Sequence, residues 1–220
     1  MSKEERTKHK VFISYHHKND QWAKEELIAL NTKHDIFIDK SVGLYEVNER
    51  KIDGSKKSDD ELRIEIRDDY LKSSSVILLL VGTETKGRKH VDWELYSSMR
   101  DSPKNKKSSI VVIQLPSTKP QYRTIPYSEE YKQKIYPSSS WFSIETKKEY
   151  EEKYSYLPKR IIDNLITKKS KIAVIHWSDL LISDTESLCP SKVQLLIENA
   201  YQVNDISEYD MSEKMRKRNS

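Results

Sequence analysis

Polar and aromatic side chains follow three apolar runs of this sequence, at the point where each run ends. Hydroxyl groups and helix amides there could hold a pyrophosphate, and an aromatic ring or an imidazole could stack on a flat ring. Tyr15 is as well suited to packing as to stacking. The candidate binding residues are Ser14, Tyr15 and His16 after the first run, Asp39 after the second and Thr83 after the third.

A second set of candidates follows the third run, on a predicted helix. His90 and Glu94 are four residues apart, so they share one face of that helix. A carboxylate beside a sugar can stabilise the cation that develops when a glycosidic bond breaks. Glutamates on amphipathic helices are more often solvated, and His90 could simply form a hydrogen bond with Glu94. These residues alone therefore leave the role of Glu94 open.

Five short apolar runs predict the strands that position these residues. The runs are continuous rather than alternating, which is typical of parallel strands covered on both faces. Helical patterns lie between them, and this alternation favours an α/β fold with a flavodoxin-like, doubly wound, five-stranded parallel sheet. Ligands bind at the carboxyl edge of such a sheet, so the candidates should gather there. The predicted strands are Val11–Ile13, Ile36–Ile38, Val76–Val81, Ile110–Leu115 and Ile172–Ile175.

Local signals place the helices between these strands. Asp20 is predicted to cap the first helix, and Ser58 with Glu61 forms an S-x-x-E capping box for the second. Pro158 is predicted in the first turn of a later helix, and the last helix follows Pro190.

The length of 220 residues fits one domain with an extension. We predict a single domain over residues 1–203, with a charged, mobile tail over residues 204–220. Residues 116–157 form an insertion before the last strand, and this insertion is rich in Tyr, Pro and Ser. One interpretation of the insertion is a structured surface cover. The other is a lid or a surface for self-association.

Composition excludes several classes of protein. The single cysteine, Cys189, excludes an internal disulfide framework and a multi-cysteine zinc site, and it fits a reducing cytoplasm. The four glycines allow no GxGxxG or Walker-type phosphate loop. A net charge of +4, from 39 basic and 35 acidic residues, does not argue for nucleic-acid binding. No run approaches the ~20 apolar residues that span a bilayer, so we expect a cytoplasmic protein.

The segment FISYHHKND at residues 12–20 resembles the first motif of TIR (Toll/interleukin-1 receptor) domains. The second predicted strand ends in FID at residues 37–39, as in TIR domains, and a long loop follows over about residues 40–57. The third strand leads into GRKHVDWELYSSM, which is similar to the TIR helix that begins W-x-x-x-E and carries the catalytic glutamate. Within the TIR family, the sequence most resembles the bacterial TIR-like proteins of Thoeris anti-phage systems.

This resemblance implies roles for two of the candidates. Glu94 falls on the catalytic glutamate of the family, and His90 stands where the family has a tryptophan that lines the nicotinamide pocket. NAD⁺ is then the expected substrate, because its nicotinamide is already a cationic leaving group. A preorganised charge of this kind contributes about 10²–10³ in rate. The reaction requires no cofactor and no metal.

The resemblance to Thoeris proteins also implies a signalling function. We expect an ADP-ribose-derived product, cyclic or conjugated, that activates a separate effector protein. A phage-derived activator and self-association are expected to control it, and neither nucleic acid nor membrane is an expected partner. Two other hypotheses stay open. One is a non-catalytic TIR adaptor, which the histidine at position 90 and the Tyr-rich insertion leave possible. The other is an enzyme similar to nucleoside deoxyribosyltransferases. A comparison of nucleosides with NAD⁺ as substrates would distinguish an enzyme similar to nucleoside deoxyribosyltransferases from an NAD⁺-cleaving enzyme.

Overall fold

A computed structural model describes residues 7–41, 58–71, 73–129, 132–133 and 144–216. Its strands form one five-stranded sheet in the order β2-β1-β3-β4-β5, and every neighbouring pair is parallel. The predicted flavodoxin-like, doubly wound α/β fold is therefore confirmed. The strands are β1 (Lys10–Ser14), β2 (Ile38–Asp39), β3 (Val76–Val81), β4 (Ser109–Gln114) and β5 (Ala173–His176).

Helices connect the strands and cover both faces of the sheet. Between β1 and β4 these are α1 (His17–His34), α2 (Asp59–Glu65), which continues into a π-helical turn at Ile66–Tyr70, and α3 (Lys89–Ser98). The later helices are α4 (Lys147–Lys153), α5 (Lys159–Ile166) and α6 (Pro190–Gln202). Short 3₁₀ turns lie at Thr85–Gly87, Pro116–Thr118 and Trp177–Leu180.

The sheet separates two hydrophobic cores. Val11 and Ile13 belong to the core beneath α1 and α6, which we call the α1 core. Phe12 belongs to the core beneath α3 and α5, which we call the α3 core. Because successive strand side chains point to opposite faces, Ser14 faces the α3 side. Burial on both faces explains why the strands are continuous apolar runs in the sequence.

The second strand begins later than predicted. Ile36 and Phe37 are buried, but their backbone amides donate to Asn31 Oδ1 at 2.9 and 2.8 Å. Only Ile38 and Asp39 pair with β1. The apolar run therefore predicted burial correctly and strand pairing incorrectly, because a side chain at the end of α1 satisfies the amides that a strand would use.

The predicted capping box of α2 is confirmed, whereas the predicted cap of α1 is wrong. Ser58 Oγ accepts a hydrogen bond from Glu61 N at 3.3 Å, and the Glu61 carboxylate accepts one from Ser58 N at 2.8 Å. Helix α1 begins at His17, with His16 at its N-cap position. Asp20 therefore lies inside the first turn, and its carboxylate contacts Thr85 instead of capping the helix.

The described parts of the 116–157 insertion pack against the rest of the domain. Thr124 forms an isolated antiparallel bridge with Val174 of β5. Tyr150 and Tyr154 stack on each other within the α3 core. These contacts favour the interpretation of the insertion as a structured surface cover. Residues 130–131 and 134–143 of the insertion lie outside the described residues.

Residues 204–216 pack against the domain, contrary to the mobile tail that the sequence predicted. Met215 is buried in the α3 core, and Tyr209 Oη donates a hydrogen bond to Ser108 O at 3.0 Å. Ser207 Oγ accepts a hydrogen bond from Lys171 N at 3.0 Å. The segment folds back because its few apolar side chains complete a core that α3 and α5 leave open. Residues 217–220 lie outside the described residues.

Candidate active site

Glu94 is buried in the middle of α3, and its carboxylate contacts the end of β1. Ser14 Oγ donates a hydrogen bond to Glu94 Oε2 at 2.5 Å, and the two residues are 1% and 4% exposed. Ser14 is the last residue of β1, at the carboxyl edge of the sheet. A hydrogen bond to a carboxylate is charge-assisted, so it fixes the direction of the Glu94 side chain. The structure thus joins two of the predicted site residues.

Helix α3 is buried on all sides, from His90 to Ser98. Several of these residues are polar, although ionisable side chains are rarely buried unless they have partners. His90 lies one helical turn before Glu94 and is also buried. A solvated glutamate on an amphipathic helix, the alternative that the sequence left open, is therefore not what the structure contains.

Asp20 is a second buried carboxylate at this edge, and the sequence analysis assigned it no role in the site. Thr85 Oγ1 donates a hydrogen bond to Asp20 Oδ2 at 3.2 Å and accepts one from Gly82 N at 2.9 Å. Burial raises the pKa of Asp20, and the hydrogen bonds from Thr85 and from the Gly82 backbone partly oppose this effect. A Cβ atom on Gly82 would lie 2.5 Å from Asp20 Oδ2. The sequence signal that could have pointed to this close contact is Gly82, a glycine directly after a strand.

The other predicted site residues lie near the same edge with local contacts of their own. Tyr15 is half-buried against the α1 core, and its hydroxyl donates to Gln21 Oε1 at 2.6 Å. Asp39 Oδ1 accepts hydrogen bonds from Ser41 N at 2.8 Å and from Ser41 Oγ at 2.5 Å. The binding roles of Tyr15, Asp39, His16 and Thr83 stay predictions. His16 is buried at the start of α1, and Thr83 is exposed in the turn after β3.

The family described as Thoeris protein ThsB, TIR-like domain, matches residues 12–120 of the chain. The chain is a TIR-like protein of the Thoeris type. The matched region runs from β1 to the turn after β4, so it contains both Ser14 and Glu94. The match supports a TIR protein of anti-phage defence. A comparison with curated proteins finds no match to the chain.

This TIR-like protein also has a groove of about 970 Å³ on the α1 side of the sheet. Trp22 and Trp177 line it and contact each other edge to face, with ring centroids 5.1 Å apart. None of the predicted site residues lines the groove. Within the described ranges, no three histidine, cysteine or acidic side chains form a group that could hold a metal ion. Within those ranges, too, no helix is long and apolar enough to cross a membrane.

Proposed function

We propose that this TIR-like protein cleaves the N-glycosidic bond of NAD⁺, with Glu94 as the catalytic carboxylate. The observation that carries the proposal is the burial of Glu94 together with its 2.5 Å hydrogen bond from Ser14. A carboxylate removed from bulk water interacts more strongly with a nearby cation, because the local dielectric constant is lower. A buried, oriented carboxylate at the carboxyl edge of a TIR sheet supports this chemistry better than a solvated one.

In the proposed reaction, the bond between the nicotinamide nitrogen and the ribose carbon breaks first. Its electron pair goes to the nicotinamide nitrogen, which becomes neutral, and the ribose becomes an oxocarbenium-like cation. Glu94 stabilises that cation as it develops, and Ser14 keeps the Glu94 carboxylate in place. A hydroxyl group of the same nucleotide or of a second nucleophile then attacks the ribose carbon and releases its proton to solvent. Attack by water would instead give free ADP-ribose.

The product is an ADP-ribose derivative, cyclic or conjugated, that acts as a diffusible signal. The Thoeris membership supports a separate effector protein as the receiver of that signal. A phage-derived component and self-association are the proposed triggers. NAD⁺ is the substrate, and the reaction uses no further cofactor.

The decisive experiment measures NAD⁺ consumption and nicotinamide release by the purified protein and by Glu94→Gln. Glutamine keeps the size of the side chain and an acceptor for Ser14 but removes the charge. We expect Glu94→Gln to lower turnover by about 10²–10³. Glu198→Gln is the matched control, because Glu198 lies on α6, on the opposite side of the sheet, where it pairs with His9. It should retain full turnover.

Equal turnover in the protein and in Glu94→Gln would remove Glu94 from the mechanism. If the resting protein is silent, the same pair of proteins should be assayed in lysates of phage-infected cells. Cleavage of nucleosides in preference to NAD⁺ would instead favour an enzyme similar to nucleoside deoxyribosyltransferases.

A non-catalytic adaptor is the second candidate function. The burial of His90 favours it, because His90 stands where the TIR family has a tryptophan that lines the nicotinamide pocket, and little of its side chain is accessible to a substrate. In that case Glu94 would be a structural residue that fastens α3 to β1. Protection against phage by Glu94→Gln, with cellular NAD⁺ unchanged during infection, would support the adaptor.

A further inference from the structure

The last described residues of the chain lie across α3, against the two residues that precede Glu94 in the helix. Trp93 Nε1 donates a hydrogen bond to Arg216 O at 2.8 Å, and Arg216 N donates one to Asp92 Oδ2 at 2.8 Å. Met215, the residue before Arg216, is 3% exposed in the α3 core. We call residues 213–216 the C-terminal strap. The strap therefore holds the two residues that precede Glu94 in the helix.

Arg160 of α5 joins the strap to α3. Its guanidinium donates two hydrogen bonds to the Asp92 carboxylate, from Nε at 2.8 Å and from Nη2 at 3.1 Å. It also donates to Glu213 O at 3.1 Å and to Lys214 O at 3.0 Å. Arg160 and Asp92 are both buried. Because buried charges are costly without partners, removal of the strap would leave the buried Arg160–Asp92 pair incompletely satisfied.

Asp92 and Glu94 point to nearly opposite sides of α3. Residues two positions apart in an α-helix are separated by about 200° around the helix axis. The strap and Arg160 therefore contact one side of α3, while Ser14 of β1 contacts the other side through Glu94. The helix is held between these two sets of contacts, so its rotation and its height above the sheet depend on both.

We propose that the C-terminal strap positions Glu94 by holding the opposite face of α3 through Asp92, Trp93 and Arg160. This inference rests on the proposed function only for its consequence in catalysis, since the mechanical part concerns the contact between Glu94 and Ser14. Small displacements of a catalytic group have large effects on rate, because the reacting atoms must be aligned. Asp92, Trp93 and Arg160 are then positioning residues that act through Glu94.

Two truncations of the full-length protein test the strap. The first ends at Ser212 and removes the strap; the second ends at Arg216 and keeps it, so it controls for loss of the charged end of the chain. We expect the first to speed amide hydrogen exchange in residues 89–98 by at least about 10-fold and to lower kcat for NAD⁺ by about 10-fold or more, with KM little changed. The second should match the intact protein in every measurement.

A probe of Glu94 itself makes the test independent of enzymatic activity. The ¹³C signal of the Glu94 carboxyl group, assigned by its absence in Glu94→Gln, reports the contact with Ser14. We expect this signal to move in the protein that ends at Ser212 and to stay in place in the one that ends at Arg216. If the intact protein does not cleave NAD⁺ even in lysates of phage-infected cells, the proposed function fails, while the carboxyl signal still decides whether the strap positions Glu94.

A milder variant covers the case in which the first truncation does not fold. Asp92→Asn keeps the shape of the side chain but places an amide where Arg160 and Arg216 N need an acceptor. Asp179→Asn is its matched control, because Asp179 is a similarly buried partner in a two-bond pair with Arg123, at the end of β5. We expect the Glu94 signal to move in Asp92→Asn only. An unchanged Glu94 signal in both the strapless protein and Asp92→Asn would overturn the proposal.

Discussion

The hydrogen bond between Ser14 and Glu94 is the contact on which the candidate site depends at the scale of single residues. It joins the end of β1 to the middle of α3, and both partners are buried. In the proposed mechanism the Glu94 carboxylate must face the sugar, and the short hydrogen bond from Ser14, at the end of a rigid strand, restricts its rotation. In that mechanism Ser14 would orient Glu94, which is distinct from the substrate contact that the sequence predicted for Ser14.

Removal of the Ser14 hydroxyl should lower turnover as well as the free energy of unfolding. A hydrogen bond to a charged group contributes about 1.5–3 kcal/mol, so we expect Ser14→Ala to lower kcat for NAD⁺ by about 10- to 100-fold. Steady-state kinetics on purified protein, with unfolding by denaturant in parallel, provides the measurement.

Ser109→Ala is the control for Ser14→Ala. Ser109 is equally buried, and its hydroxyl donates to Ala200 O at 2.6 Å, but it lies at the amino end of β4. This variant should lose stability and keep its turnover. A similar loss of turnover in both variants would mean that general destabilisation, and not the orientation of Glu94, is responsible.

At the scale of elements, one cluster fastens the first turn of α1 to the turn after β3. The cluster consists of Asp20, Gly82 and Thr85, and Thr85 bridges the other two. The approach is so close that residue 82 can have no side chain without displacing the Asp20 carboxylate. Both joined segments lie at the carboxyl edge, so the cluster sets their spacing around the candidate site.

Gly82→Ala should destabilise the protein, because its methyl group would lie 2.5 Å from Asp20 Oδ2 and 2.7 Å from Asp20 Cγ. Overpacking of this kind costs about 1–3 kcal/mol, which denaturant unfolding can measure. The matched test is a double-mutant cycle with Asp20→Ala, which empties the space that the methyl group needs. We expect the double variant to lose less stability than the sum of the two single variants. Strict additivity would show that the contact is not the cause.

At the scale of the whole molecule, the insertion before β5 is part of the domain and is tied to the end of that strand. Arg123 donates two hydrogen bonds to the Asp179 carboxylate, at 2.8 and 2.7 Å, and Asp179 also accepts one from His176 N at 2.7 Å. Burial lowers the pKa of His176, and the positive charge of Arg123 lowers it further. One arginine therefore affects both the attachment of the insertion and the titration of a strand residue.

Arg123→Ala should raise the pKa of His176 and loosen the insertion together. Loss of the positive charge removes one cause of the lowered pKa, while the Asp179 carboxylate and the hydrogen bond with Tyr122 O continue to raise it. We expect a loss of about 1–2 kcal/mol in the free energy of unfolding, since Arg123 is partly exposed. NMR titration of His176 and limited proteolysis between residues 116 and 157 are the measurements.

Lys148→Ala controls for loss of a positive charge within the insertion. Lys148 forms an exposed ion pair with Glu152 at 3.8 Å, so its removal should change stability by less than about 0.5 kcal/mol and should not affect His176. A His176 pKa that is unchanged in Arg123→Ala would contradict the electrostatic link.

Local pattern in the sequence was sufficient for most of the architecture. Strands such as β3 and β4 are continuous apolar runs because both of their faces are buried, and that property is visible without knowing the neighbours. The capping box at Ser58 and Glu61 is local in the same sense, since both partners lie within one helical turn. Prediction failed at Ile36 and Phe37, where a side chain from α1 replaced the hydrogen bonds of a strand.

The sequence by itself also determined which residue types end the strands, and its resemblance to TIR domains singled out Glu94. Only the tertiary structure decided that Glu94 is buried, that Ser14 is its partner, and that Asp92 and Trp93 are held by the end of the chain. These contacts join residues 80 to 124 positions apart. They depend on strand order and on which helix face meets the sheet, and no local periodicity specifies either, because hydrophobic burial is non-directional and becomes specific only when all elements pack together.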